Sequence, residues 1–380
     1  MSLRHGILLA AAVAVLAVGS QARAQSITLP LSGENQRTTL TQSIGLVSLT
    51  VDYSSPNVTG PNGQSRRGHI WGELVPFGMH DLGFNDCKEC PWRAGANFNT
   101  IFKTSHDILV EGQSLKAGAY GLFMLADPNE WTVIFSSNCT SWGSFTYNPA
   151  EDVLRVKVKP GKCEYHEFLD YEFTDRMPDH ATLALQWEEL QVPIRITVPN
   201  MNDLYVAQIQ RELRDYDWFN WLNWEGAAQF CLANNTHLKQ GLEWAEASVN
   251  KPFVGVKSFR TLTTLAQLQI SNGLRPAATK TVDEAMTMPA TVLNIHQFAR
   301  QLQLQKEDAI AIRVFEANAK RFPNQWPVQL GLARGYAGRG DFKKALQAAQ
   351  LAVKQAPDEP SRMNVETLIK QWTESAAKAN

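Results

Sequence analysis

Between residues 40 and 200 hydrophobic and polar positions alternate in short runs. Val47, Leu49, Val51 and Tyr53 fall on one side, with Ser48, Thr50 and Asp52 on the other. A period of two is the mark of a strand with one buried face. It returns at Tyr120/Leu122/Met124, Trp131/Val133/Phe135, Leu183/Leu185/Trp187 and Val192/Ile194/Ile196/Val198. Turn residues break the runs at Ser54-Ser55-Pro56, Asp127-Pro128-Asn129, Pro160-Gly161 and Met177-Pro178-Asp179. Eight or nine strands with no helical period between them predict an antiparallel β-sandwich, jelly-roll-like, over residues 25–200. Residues 66–99 depart from the pattern. Seven glycines and prolines occur there among His, Trp and Cys, which predicts a long structured loop, the usual place to build a site.

After Pro199 the period becomes helical. Leu204, Ile209, Leu213 and Trp218 open an amphipathic run, and Trp218, Trp221 and Trp224 stand at steps of three, read as one helical stripe that buries against the sandwich. A repeat then emerges: Ala277, Ala311 and Ala345 recur at a step of 34, as do Pro289, Pro323 and Pro357. Small residues suit the close crossing of a helix pair and proline the turn into the next pair. Residues 201–380 are therefore expected to form an α-helical solenoid, with a weaker first unit near residues 229–255 and a polar capping helix over residues 359–378. The last unit, Leu332-Ala333 with Tyr336, Ala345, Ala352 and Pro357, resembles a tetratricopeptide repeat. The fold class is α+β in two segregated domains.

The N-terminus predicts an address. Arg4 and His5 precede an apolar run over residues 7–18, and Ala22-Arg23-Ala24 offers a signal-peptidase cut before Gln25. The run is too short for the roughly 20 residues of a membrane-spanning helix. Residues 1–24 are thus expected to be removed from an exported chain, periplasmic or secreted. The 36 Lys and Arg nearly balance the 37 Asp and Glu, which leaves no whole-protein field for a nucleic-acid backbone. Export also makes disulfides available to the five cysteines. Cys87 and Cys90 are expected to close a local loop, with a redox pair or a metal site as alternatives. Cys139 and Cys163 are candidates for a second bridge, and Cys231 for a buried helical thiol.

Ile70-Trp71-Gly72-Glu73-Leu74-Val75-Pro76-Phe77-Gly78, Trp92-Arg93-Ala94-Gly95-Ala96-Asn97 with Thr100, Ala117-Gly118-Ala119-Tyr120-Gly121-Leu122 and Trp142-Gly143 together resemble the domain of unknown function 2911 family. The resemblance covers roughly residues 40–200. It implies an exported β domain and carries no activity. The segment between Gly78 and Trp92 is longer than the family's usual connection.

Arg93 is the leading candidate site residue. Its planar fork suits a carboxylate or sulfate, with Asn97 and Thr100 adding hydrogen bonds and Gly95 and Ala96 opening the backbone. The structural alternative is an ion pair to Glu73 or Asp152. Trp71, Trp92, Tyr120, Trp142 and Tyr147 are candidates for a glycan-stacking platform. His69, Glu73, His80 and Asp81 are weak candidates for a metal or acid–base site, but no zinc-protease run, nucleophile elbow or phosphate loop is present. No cofactor is implied, and the reading leans away from catalysis. It predicts a binding protein, with a ligand in the β half and a protein partner on the helical repeats. A hydrolase and a carbohydrate-binding module stand as alternatives.

Overall fold

A computed structural model describes residues 35–83, 87–323 and 325–379. The leader expected over residues 1–24, with its cut before Gln25, falls outside the described residues. The chain divides into two compact units, Met1–Pro199 and Asn200–Asn380.

The first unit carries ten described strands: β1 Gln36–Ile44, β2 Val47–Ser55, β3 Thr100–Thr104, β4 Ile108–Val110, β5 Gln113–Leu115, β6 Gly118–Leu125, β7 Trp131–Ser136, β8 Asp152–Val158, β9 Gly161–Thr174 and β10 His180–Thr197. They form a six-stranded sheet in the order β1-β2-β3-β6-β7-β8 and a four-stranded sheet in the order β5-β4-β10-β9, antiparallel throughout. The three-residue strands β4 and β5 are too short to alternate visibly in the sequence. Tyr53 of β2 meets Tyr171 of β9 edge-on, ring centroids 4.8 Å apart, so the inner faces of both sheets share a core.

The runs ending at Trp187 and beginning at Val192 belong to one strand, β10. Their buried residues have opposite parity, odd before Trp187 and even after Val192. A regular strand cannot change face in this way. The pairing with β9 shifts register twice around Glu188, which sits in the left-handed region at φ 58°. Trp187 and Glu188 are consequently both buried. A bulge here resets the alternation, so both halves of an 18-residue strand face the core.

In the second unit α1 (Met201–Glu212) is followed by antiparallel helix pairs: α2 Trp221–Ala233 with α3 Leu238–Asn250, α4 Phe259–Ser271 with α5 Arg275–Thr287, α6 Val292–Leu304 with α7 Asp308–Arg321, and α8 Trp326–Gly338 with α9 Phe342–Gln355. Helix α10 (Glu359–Ala379) closes the described stack. The eighth residue of each first helix is a fully buried alanine: Ala228, Ala266, Ala299 and Ala333. The fourth residue of each second helix is Gly241, Ala278, Ala311 or Ala345. At Gly241 a Cβ would come within 2.7 Å of the Cys231 Cβ, so this crossing admits glycine alone. The equivalent of Ala311 is Ala278 rather than Ala277, because α7 starts 33 residues after α5 while α9 starts 34 after α7.

Helix α4 is buried along its whole middle, from Thr261 to Ile270. Leu262, Leu265 and Leu268 join the core of α2 and α3, while Ala266 and Ile270 join the core that continues into α7.

The tryptophan stripe needs correction. Trp218 lies in a short 3-10 segment, Tyr216–Phe219, and Asn220 then caps α2 through its side chain. Trp224 donates to the Trp218 carbonyl at 2.8 Å, and the Lys251 ammonium lies over both rings. The three indoles pack within the helical unit's own core.

Candidate functional site

The Gly- and Pro-rich segment between β2 and β3 folds over the β unit and borders a cavity of about 300 Å³. Three short contacts fix its path. Trp92 pairs with Met124 of β6 through both backbone groups, at 2.9 and 2.8 Å. His80 pairs likewise with Cys90, at 3.2 and 3.0 Å. Cys87 and Cys90 form a disulfide beneath them. Cys139 and Cys163 do not form the second bridge. Both thiols are free, Cys139 in the loop after β7 and Cys163 on β9 in the other sheet.

Arg93, Asn97, Trp92 and His80 all border the cavity, together with Arg66, Trp187, Asn57, Ser144 and several prolines. None of the lining residues among those described is acidic. The Arg93 guanidinium donates to the Asn97 carbonyl at 2.8 Å and lies over the Phe145 ring at 5.3 Å. Gly143 gives it room: a Cβ there would sit 2.4 Å from the guanidinium carbon. The ion pair considered from sequence does not form. Glu73 is bound to His69 at 2.9 Å, and Asp152 is bound to Arg155 at 2.6 Å and to the Tyr147 hydroxyl at 2.7 Å. Burial pulls the Arg93 pKa below its ordinary value. Among the described residues, then, Arg93 is a half-buried cation without a counter-ion.

Two lining residues carry buried polar atoms. Among the described residues the Trp187 indole Nε1 and the His80 Nδ1 are buried without a hydrogen-bond partner. Such orphans are uncommon in a folded interior. Burial pushes the His80 pKa down, which favours the neutral ring.

The remaining candidates separate. The Thr100 hydroxyl is fully buried and donates to the Ala94 carbonyl at 2.9 Å, so it braces the loop instead of facing a ligand. Gly95 is needed for that brace, since a Cβ would meet the Thr100 Oγ1 at 2.7 Å. The proposed aromatic platform does not assemble. Trp71 packs edge-on against Trp92, Trp131 and Trp187. Tyr120 is buried and donates to the Lys116 carbonyl. Trp142 is exposed against Phe98.

His69 and Glu73 do meet, through a tight loop, but both are exposed. Asp81 turns to the Gly83 amide at 2.8 Å and to Lys88, away from the His80 pairing. Among the described residues no three His, Cys, Asp or Glu side chains gather where they could hold a metal ion.

Arg66 and Trp187 are the cavity-lining residues that sequence reasoning missed. The available signal for the first is the Arg66-Arg67 pair at the head of the loop. Trp187 reads from the sequence as an ordinary core position of β10.

The helical unit carries its own depression, about 440 Å³, bordered by Gln229, Thr264, Gln267, Gln301 and Gln305 of successive repeats. No helix among the described residues is long and apolar enough to cross a membrane.

Residues 35–196 match a family described as a protein of unknown function, DUF2911. No curated protein matches the chain. Among solved structures, similarity is found to a putative kinesin light chain with nearly identical TPR-like repeats from Podosopora anserina, at 15% identity over 41% of this chain and 86% of that one, with a TM-score of 0.31. It is also found to YrrB, a TPR protein with an unusual peptide-binding site, at 16% identity over 44% and 84%, with a TM-score of 0.30. A thermophilic TPR protein of Thermus thermophilus aligns at 14% identity over 46% and 91%, with a TM-score of 0.33.

Proposed function

We propose that the chain is an exported, non-catalytic binding protein. Its β unit takes a small ligand bearing a carboxylate or sulfate, and its helical stack docks a protein partner. The observation that supports the ligand site is Arg93, half-buried at a cavity with no acidic lining and without a carboxylate partner among the described residues. A buried guanidinium left without a counter-ion costs free energy that an incoming anion offsets. Arg66 adds a second positive charge, and Trp92, Trp187, Leu74 and Pro76 suit an apolar body behind the anionic group. The hydrolase alternative is not favoured by the geometry, because His69 and Glu73 form one exposed pair while His80 and Asp81 turn apart.

The test is calorimetric titration of the full chain with aromatic carboxylates, aryl sulfates and uronic-acid glycans, in parallel with Arg93→Met. Saturable binding of an anionic probe that drops at least tenfold in the variant supports the reading. Binding of no probe, or equal binding by the variant, overturns it. Capture of one defined protein from envelope extract by the full chain tests the docking half.

A further inference from the structure

We infer that the helical unit holds a second oxyanion-binding site, built by Arg300 and Arg334. The group it takes is a carboxylate or phosphate carried on an apolar stem. Arg300 is the ninth residue of α6 and Arg334 the ninth of α8. Equivalent positions of consecutive repeats stand side by side, so the repeat brings two like charges together. Both border a cavity of about 330 Å³ that also includes Gln303, Ala337, Gly338, Leu368 and Trp372.

Neither arginine has an ion pair among the described residues. Arg300 donates to the Gln303 Oε1 at 3.0 Å. The Arg334 Nε is buried without a partner. The Asp308 carboxylate is held by the Gln303 amide at 3.4 Å and packed against Gly338. Burial and the Arg300 charge pull the Arg334 pKa down to about 10.

Two close guanidiniums with one orphan N–H and no counter-ion are unfavourable as they stand. A planar or tetrahedral oxyanion between them satisfies both forks. Leu368 and Trp372 of α10 border the same cavity and give an apolar stem a surface to lie on. This site is independent of the cavity at Arg93, so either can fail alone.

The experiment titrates the full chain with phenylphosphate, benzoate, inorganic phosphate and neutral phenol at low salt. Binding is read by calorimetry and by the Nε–Hε signals of 15N-labelled arginine. The expected result is saturable binding of phenylphosphate or benzoate that moves the assigned Nε–Hε signals of Arg300 and Arg334. Those two shifts are lost in Arg300→Gln and in Arg334→Gln, remain in Arg93→Met, and appear at lower concentration than with inorganic phosphate or phenol. Equal binding of phenol, no movement of the Arg300 and Arg334 signals, or the same response in both glutamine variants overturns the proposal. If inorganic phosphate binds as tightly, the apolar stem is refuted. The labelled unsubstituted chain gives the answer even where a variant does not fold.

Discussion

The Trp92 indole lies parallel to that of Trp187, ring centroids 6.4 Å apart and planes within 14°, tying the loop over the cavity to strand β10. Trp187 is 1% exposed and Trp71 meets it edge-on. Trp187→Ala is expected to cost about 3–5 kcal/mol, in line with other buried large-to-small changes. Trp187→Phe should cost clearly less, since it also removes the unpartnered indole N–H. Urea unfolding followed by near-ultraviolet circular dichroism checks both, and equal losses would contradict the orphan's cost.

Arg93→Met should leave stability within about 1 kcal/mol, because the variant gives up one bond to a carbonyl but also a desolvated charge. Gly143→Ala is the opposite case. Its φ is 61° and its added Cβ would strike the guanidinium. A loss of about 1–3 kcal/mol is expected, together with weaker anion binding, readable as a lower melting temperature and a poorer titration.

The helical unit should lose stability in mild acid through His296. Burial, then the charges of Arg334 and Arg300, push its pKa from the ordinary 6.5 to about 4. Above pH 6.5 the ring is neutral in both states and contributes no slope. Between pH 6.5 and about 4 the unfolded chain takes up a proton that the folded chain refuses. Stability then falls by up to about 1.4 kcal/mol per pH unit, roughly 3 kcal/mol in all. Below pH 4 this group adds nothing more. Denaturation of His296→Leu across this range should show a shallower dependence.

Glu225 is fully buried in α2, where Arg260 holds its Oε2 at 2.6 Å and the Thr264 hydroxyl its Oε1 at 3.0 Å. Arg260→Leu leaves a buried carboxylate without its cation and should cost up to about 3–5 kcal/mol. Adding Glu225→Leu should recover part of that loss. A double-mutant cycle by chemical denaturation measures the coupling.

Alkylation of the native chain should label Cys139 and Cys163 before Cys231. The first two are half-buried, while Cys231 is buried and its pKa is pushed up to about 11 by desolvation. Mass spectrometry of peptides taken over time gives the order. Early labelling of Cys231 would contradict the close packing of α2 on Gly241.

Regular elements were legible in the sequence because their physics is local. The alternation at Val47–Leu49–Val51 gives β2 and the 34-residue recurrence gives the last helix pairs. The join within β10 was hidden, since the parity change around Glu188 looks from the sequence like a turn between two strands. The repeat was placed one residue off at Ala277 because its step is uneven. At the site, Arg93, Asn97, Trp92 and His80 could be named because they crowd one loop. Trp187 comes from a strand nearly a hundred residues later, and no periodicity reports that meeting. Cys139 and Cys163 show the same limit, since their spacing does not tell which sheet each joins.

Helix α4 is buried along its middle and belongs to the cores on both flanks. Arrays of this kind often come apart from an end, one segment after another. Here the segment near the beginning is the keystone. Loss of α4 would remove most of what joins α2 and α3 to the later helices, and the whole array should therefore give way in a single cooperative step.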